Sequence, residues 1–500
     1  MTSEWILAVD QGTSSTKALL IDREGHTAFR TSASLELICP QAGYVEQDPL
    51  ALWQSVCRVA KECASYAAAH HARIAAIALS NQRETAVTWH SNGEPVGNAI
   101  TWQCRRSAPI CDRMRDRAAA IQAATGLPLD PLLSATKWAW VFDQQPDLRP
   151  MAESGELRIG TVDSWLLYKL TGGRVHATDH TNASRTALLH LASLDWDEAM
   201  LSLFQIPRAA LPRLCASIGV CAECISVPAL AGVPVASIIG DSHAALVGHG
   251  RYEPGTTKAT YGTGSSLMML TPALARETHV LARTVAWSST AEVHFALEGN
   301  IAMSGAALQW VGEFLGLPNP AEDAAALAAS VHDAAGMMLV PGMVGLGAPY
   351  WDAEARGIMT NIERSHSAAH LARAALDAVA FQVADVLDAM ETAAGVELPT
   401  LLADGGATRN DALMQMQADI IGRPVLRSAQ EDLSARGAAM LAGVALGWWK
   451  STAELAALPQ AGRLFEPRMS SSRREGLLAA WRLAVRRARL SDEKKAGPSC

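Results

Sequence analysis

The sequence predicts an α/β protein built of two similar halves, and three observations carry that prediction. Two glycine-threonine turns lie about half a chain apart: Asp10-Gln11-Gly12-Thr13-Ser14-Ser15-Thr16-Lys17 and Tyr261-Gly262-Thr263-Gly264-Ser265-Ser266. Each follows an extended segment, residues 5–9 and 257–260, and leads into a second apolar one, residues 18–21 and 267–270. Strand-like and helix-like patterns alternate through both halves. A tight hairpin of small hydroxyl residues presents backbone N–H groups and hydroxyls to an anion, so phosphate is cradled with no bulky side chain in the way. One such turn reads as an ordinary hairpin; the repeat points to a duplicated domain holding a nucleotide's phosphate tail.

The elements follow in order. Residues 52–69 carry an amphipathic helix pattern, and residues 74–80 and 99–102 are apolar enough for buried strands. A helix is expected from Gly160 to Leu170, with Asp163 as its N-cap. Residues 233–239 form a strand ending at Gly240-Asp241, and the chain turns helical from Ser242. The second half repeats the grammar with a strand at 293–299. Leu376, Val379, Val383, Val386, Leu387 and Met390 step by threes and fours, which predicts a long helix with one apolar stripe. Residues 400–407 run from a strand into a glycine turn, with a helix starting near Asn410. Residues 437–449 are uncharged but too short to span a bilayer, so they read as a buried helix. The boundary between the halves is expected just after Gly248 to Gly250, giving domains 1–248 and 249–500. A terminal helix bears Arg473, Arg474, Arg482, Arg486, Arg487 and Arg489, read as a solvated basic face, before a polar tail at 491–500.

Composition narrows the class. Five hundred residues leave ample chain for two cores, and 49% hydrophobic with 18% charged residues is globular. A net charge of -8 argues against a nucleic-acid partner. The start lacks a basic n-region and its apolar run stops at Asp10, so neither a signal peptide nor a membrane anchor is expected, and the cytoplasm is the default location. Nine scattered cysteines suit a reducing compartment. Cys221 and Cys224 have metal-ligand spacing, but no second pair or histidine set accompanies them.

Several residues carry chemistry. Asp10 places a carboxylate beside a phosphate cradle, which is unfavourable unless a cation lies between, so Asp10 is a candidate for Mg²⁺, through water. Lys17 is either a phosphate contact or an exposed strand lysine. Asp241 sits where a buried strand meets a helix; it either caps that helix or acts as a general base on a substrate hydroxyl. His243 is a rival base, expected to point away from Asp241. Arg83-Glu84, at the end of a buried strand, offers a donor and an acceptor to neighbouring hydroxyls. Gly405-Gly406-Ala407 lets backbone approach a flat ligand, with Asn410 placed to bond a purine.

Together these residues resemble the FGGY carbohydrate kinases. The resemblance runs along nearly the whole chain, through residues 10–17, 81–85, 102–106, 160–163, 181–186, 261–264 and 345–351. It implies two actin-like, ribonuclease-H-type domains around an interdomain cleft, and transfer of phosphate from ATP, with Mg²⁺, to a small polyol or sugar. It implies that Thr13, Ser14, Ser15 and Lys17 form the first phosphate motif, where the family more often has Arg at position 17. Thr263, Gly305, Gln309, Gly406 and Asn410 match its nucleotide site. Arg83, Glu84 and Asp241 match its polyol-binding residues, Asp241 its catalytic base, and Trp102 an aromatic wall. A homo-oligomer, dimer or tetramer, also fits.

Departures from the family pattern fall in the substrate pocket. Leu132 stands where the family has a polyol-binding tyrosine, Ser242 where a glutamine follows the base, and Ser266 where a phenylalanine lines the wall. Asn361 replaces a signature glycine, and Asn tolerates the left-handed region. The changes remove a phenol, an amide and a ring. The resemblance makes glycerol the first candidate substrate; the space these changes add makes a four- or five-carbon polyol or ketose such as erythritol, ribulose or xylulose the alternative. An actin-like ATPase shares the fold but has no need of Arg83, Glu84, Trp102 and Asp241 as a set.

Overall fold

The computed structural model describes residues 3–458 and 460–490; the polar tail at 491–500 lies outside them. Two compact units result. The first comprises Met1–Tyr252, Pro272–Ala296 and Glu431–Gln460, and the second Glu253–Thr271, Leu297–Gln430 and Ala461–Cys500.

The first unit is organised on a six-stranded mixed sheet. Its strands are β1 (Glu4–Gln11), β2 (Ser15–Ile21), β3 (Thr27–Ser34), β4 (Arg73–Asn81), β5 (Ile218–Glu223) and β6 (Pro234–Gly240). They lie in the order β5-β6-β4-β1-β2-β3. The first glycine-threonine turn closes β1 on β2, pairing Asp10 with Lys17. β1, β4 and β6 run parallel, so Asp10, Ser80 and Ile239 stand level at the carboxyl end of the sheet. Open parallel strands gather ligands at that end. The helix Pro49–Ala69 starts on Asp48, whose carboxylate accepts from Leu50 N, and packs Leu52, Val56 and Val59 onto the sheet.

The helix Asp241–Gly248 follows β6 without a loop. It crosses the helix Leu433–Ala445 at backbone contact. A Cβ on Gly437 would lie 1.8 Å from the Ala244 carbonyl oxygen, and one on Gly248 2.3 Å from that of Leu433. Only glycine permits this approach. Ser434 Oγ donates to the Asp241 carbonyl at 3.0 Å, and Ser237 Oγ to that of Ala438 at 2.7 Å. The uncharged run from Gly437 is a buried helix as expected, but it ends at Ala445 and not at Trp449, and it fixes the element that carries Asp241.

The second unit is built on β7 (Thr257–Tyr261), β8 (Ser265–Thr271), the part of β10 (Val293–Ile301) from Leu297 on, β11 (Leu401–Asp404), β12 (Val425–Ser428) and β13 (Gly462–Phe465), in the order β10-β8-β7-β11-β12-β13; β9 (Ala282–Ser288) is counted with the first unit. The second glycine-threonine turn closes β7 on β8. Beside it lies the long helix Ala368–Ala394. It is not striped as the sequence predicts. From Leu371 to Leu387 it is buried nearly all round, Asp377, Gln382 and Asp385 included, because sheet and helices enclose it. Asp385 accepts from Trp481 Nε1 at 2.6 Å and from Tyr350 Oη at 2.8 Å, which satisfies its carboxylate in that setting.

One further expectation is corrected. Asp163 does not cap the helix Val162–Leu170: Thr161 is its N-cap residue, and the Asp163 carboxylate accepts from Thr161 Oγ1 at 2.5 Å and Thr178 Oγ1 at 2.7 Å. The basic terminal helix Ser471–Ala488 has the solvated face expected, with Arg473, Arg482, Arg486 and Arg487 exposed; Arg473 pairs with Asp333 and Arg482 with Asp388, and Trp481 is buried beneath. Asn361 takes the left-handed conformation, at φ 58°. No helix of the described residues is long and apolar enough to cross a membrane.

Candidate active site

In the first unit, β4 ends in a strained turn. Glu84 has φ 60°, and Thr85 N donates to the Arg83 carbonyl at 2.8 Å, closing a three-residue turn around it. A buried glutamate in that conformation costs about 1–3 kcal/mol and persists only where its surroundings hold it. They do: Ser134 Oγ donates to the Glu84 carbonyl at 3.0 Å and Lys137 Nζ at 3.2 Å. Arg185 Nε donates to Glu84 Oε1 at 2.6 Å, both side chains being buried. The turn sends the Arg83 side chain to Asp241, where Nε donates to Oδ1 at 3.1 Å.

Asp241 opens its helix, but Gly240 is the N-cap residue; besides Arg83, the carboxylate accepts from the next N–H, that of Ser242, at 2.6 Å. The side chain keeps about a third of its surface exposed (36%). His243 is buried, and its Nε2 lies 3.1 Å from Thr284 Oγ1. Asp10, one strand over, accepts from Ser80 Oγ at 2.9 Å. Burial first and then the Asp241 charge push its carboxyl up to about 6. A carboxylate raised by the charge of another forms with it a donor pair suited to a divalent cation.

The first hairpin has an internal bond, Gly12 N to the Ser15 carbonyl at 3.0 Å. Ser14 is exposed, and Thr13 and Ser15 are half-buried. Trp102 is partly exposed and donates Nε1 to Thr13 Oγ1 at 2.9 Å, so the aromatic residue stands beside the hairpin. Lys17 is half-buried on β2, and its Nζ is 2.8 Å from Asp432 Oδ1, a carboxylate that also pairs with Arg30. Leu132 is half-buried; its carbonyl accepts from Lys137 Nζ. Ser242 is nearly buried.

In the second unit the nucleotide candidates converge on the second hairpin. Ser304 N and Ala306 N both donate to the Thr263 carbonyl at 3.0 Å, and Gly305 N to that of Gly262 at 3.0 Å. A Cβ on Gly305 would sit 2.6 Å from the Gly262 oxygen, and one on Gly405, at φ 95°, 2.4 Å from that of Tyr261. The hairpin, the start of the helix Gly305–Phe314 and the glycine turn after β11 are therefore held at backbone distance, with Thr263 and Gly406 exposed beside them. Gln309 donates to Glu313 at 2.7 Å. Asn410 caps the helix Asp411–Ile421, its Oδ1 accepting from Leu413 N at 3.1 Å. Ser266 Oγ is 3.4 Å from Glu298 Oε1. Among the described residues, no group of three or more His, Cys, Asp or Glu side chains is arranged to hold a metal.

Sequence reasoning missed Lys137, Arg185 and Asp432. Burial lowers the Lys137 ammonium to about 8, against the pull of Glu84. Arg185 lies in a segment that carries the family resemblance and Lys137 five residues after Leu132, yet nothing in their own spacing marks them. Asp432 has no local signal, since its partner is more than four hundred residues away in sequence.

Two sheet-and-helix units, each with a glycine-threonine hairpin, and a carboxylate–guanidinium set at one strand end are the hallmarks of a carbohydrate kinase. The chain belongs to the FGGY family of carbohydrate kinases: residues 5–248 match the family's N-terminal domain and residues 257–446 its C-terminal domain. Glycerol kinase 2 of Thermotoga maritima is 44% identical over 97% of this chain and 99% of its own. The glycerol kinase of Aromatoleum aromaticum is 47% identical over 97% and 99%. Among solved structures, Plasmodium falciparum glycerol kinase with ADP superposes with a TM-score of 0.92 at 28% identity, covering 98% of this chain and 99% of that one. Xylulose kinase from Rhodospirillum rubrum, at 23% identity and TM-score 0.87 over 97% and 98%, shares the fold. The architecture is the two-domain, actin-like α/β kinase fold.

Proposed function

We propose that this kinase transfers the γ-phosphoryl group of ATP to a primary hydroxyl of a small polyol, with glycerol, giving glycerol 3-phosphate, as the leading substrate. The observation that carries the reading is the Arg83–Asp241 contact beside the buried Glu84–Arg185 pair. It puts a partly exposed carboxylate, a cation and an acceptor at one strand end, the set that adjacent hydroxyls require. High identity to glycerol kinases over nearly the full chain supports the same substrate class.

In this reading Asp241 accepts the substrate hydroxyl's proton as the oxygen attacks phosphorus. Arg83 and Glu84 hold neighbouring hydroxyls, with Arg185 fixing the Glu84 carboxylate. Trp102 stands behind the carbon chain, Leu132 and Ser242 are the first unit's other substrate candidates, and Ser266, on the second hairpin, is the remaining one. Thr13, Ser14 and Ser15 receive phosphate, and Thr263, Gly305, Gln309, Gly406 and Asn410 take the nucleotide. Lys17 joins the first phosphate motif and rests on Asp432. Asp10 receives Mg²⁺ through water, which supplies charge neutralisation at the phosphates. Residues 1–248 bring the substrate and first-phosphate residues, and residues 249–500 the nucleotide residues.

The specific observation for a longer substrate is Leu132, which leaves the first unit's pocket without the family's phenol. A coupled assay of ADP release across glycerol, erythritol, threitol, ribitol, xylulose and ribulose separates the two. Saturable, glycerol-dependent ADP release supports the first reading, and activity confined to four- or five-carbon compounds supports the second.

A further inference from the structure

Cys215 and Cys221 face each other across a short turn, Sγ to Sγ at 3.3 Å. Cys215 ends the strand Arg213–Cys215, and Cys221 lies on β5, the edge strand of the first unit's sheet. Both are half-buried. The pairing differs from the one that sequence spacing suggests. Cys224 is fully buried in the core, and burial raises its thiol. Cys221 is the more reactive thiol of the facing pair. Its acidity is raised by the hydrogen bond with Cys215 and then by Arg213, whose Nη2 lies 3.6 Å from Cys221 Sγ and donates to the Cys221 carbonyl at 3.1 Å. A neighbouring guanidinium favours the thiolate, the form that attacks.

The turn between them allows closure. A disulfide needs the sulfurs at about 2.05 Å, so the approach is a shift of little more than ~1 Å. Gly219 lies in the intervening chain at φ 144°, and a Cβ there would meet nothing within 4 Å. The backbone at this point is neither crowded nor locked by packing.

We propose that Cys215 and Cys221 are a modification site: a reversible intrachain disulfide formed on reaction with hydrogen peroxide. The Cys221 thiolate attacks one peroxide oxygen, and the O–O bond breaks. Cys221 becomes a sulfenic acid, and the leaving hydroxide takes up a proton to become water. Cys215 sulfur then attacks Cys221 sulfur; the S–S bond forms, the S–O bond breaks, and hydroxide leaves with the Cys215 proton as a second water. Two thiols are oxidised and one peroxide is reduced. A dithiol reductant reverses the bond by exchange.

The bond would register inside the unit. Cys215 is level with Asp179 in the pairing of its strand with Ala177–Asp179. Ser217, between the two cysteines, donates Oγ to Asp179 Oδ2 at 2.7 Å. Asp179 in turn accepts from Thr181 N and Asn182 N, each at 3.0 Å, and Thr181 Oγ1 accepts from Gly240 N at 2.9 Å, one residue before Asp241. Drawing Cys215 towards Cys221 pulls on the strand that supports this chain of bonds.

The test needs no activity assay. The full-length protein is treated with hydrogen peroxide, its remaining thiols are alkylated, and peptides are read by mass spectrometry alongside amide hydrogen exchange. The expected result is a Cys215–Cys221 cross-link, lost on dithiothreitol, with severalfold faster exchange over residues 177–183 in the oxidised form. In Cys215→Ser the cross-link should vanish and dimedone should capture a sulfenic acid on Cys221. A cross-link to Cys224 instead, or Cys221 passing to the sulfinic acid with Cys215 still free in the unsubstituted protein, overturns the proposal. A cross-link with unchanged exchange over 177–183 overturns the link to Asp179.

Discussion

Arg83 Nε donates to Asp241 Oδ1 at 3.1 Å, so the guanidinium that ends one buried strand holds the carboxylate that begins the helix after another. The contact exists because Glu84, at φ 60°, turns the chain sharply after β4. A substrate hydroxyl entering here would meet both groups.

The first prediction follows from that contact. Asp241→Asn should retain nucleotide binding and lose about 10²- to 10⁴-fold in kcat, the usual effect of removing a positioned general base. His243→Ala should be milder, because its ring is buried against Thr284. Steady-state kinetics with calorimetric ADP binding checks both. Near-normal turnover in the Asn variant with a dead Ala variant would reverse the roles.

Arg185 should matter to stability as well as to turnover. It is buried on Glu84, and removing one partner of a buried pair typically costs about 3–5 kcal/mol. Arg185→Met should lower the denaturation midpoint sharply. Adding Glu84→Gln should recover part of the loss, since the uncompensated charge is gone. A double variant less stable than the single one would contradict this pairing.

Asp10 should give opposite pH effects on stability and on activity. Its folded value, about 6, lies above the model-peptide value of 3.8. The folded state therefore binds more protons between those values, and Asp10's contribution to stability falls as pH rises through that window. The anion that receives Mg²⁺ forms over the same range, so apparent Mg²⁺ affinity should rise as pH passes about 6. Asp10→Asn should flatten Asp10's share of the Tm–pH slope and abolish the Mg²⁺ response. An unchanged slope would show that Asp10 is not the group titrating.

The second hairpin depends on missing side chains. Gly305→Ala places a Cβ 2.6 Å from the Gly262 oxygen, so the helix start and the turn must separate. ADP affinity should fall about tenfold or more, equivalent to ~1.4 kcal/mol, with the fold kept. Gly476→Ala, on an exposed helix with nothing within 4 Å, should leave it unchanged. Isothermal titration compares the two.

Much of this was legible in the chain. Both hairpins, the strand into Asp241 and the buried helix at Gly437 follow from apolar runs broken by glycine, a signal local in sequence. What was not legible is long-range. The Glu84 turn, the Arg185 partner and the Lys17–Asp432 pair depend on contacts between segments 50 to 415 residues apart. Asp163 misled because its carboxylate, at the start of a helix, found hydroxyl partners instead of orphan N–H groups. The helix Ala368–Ala394 misled because alanines fill the positions between its large residues, and small residues are buried as readily as large ones when a helix is enclosed.

The central claim is tested most directly by ADP release with ATP, Mg²⁺ and each polyol in turn, in the unsubstituted protein, in Asp241→Asn and in Leu132→Tyr. The account predicts release that depends on a polyol, collapses in Asp241→Asn, and gains kcat/KM for glycerol over erythritol and the ketopentoses in Leu132→Tyr. ADP release indifferent to every polyol, or undiminished in Asp241→Asn, would contradict it.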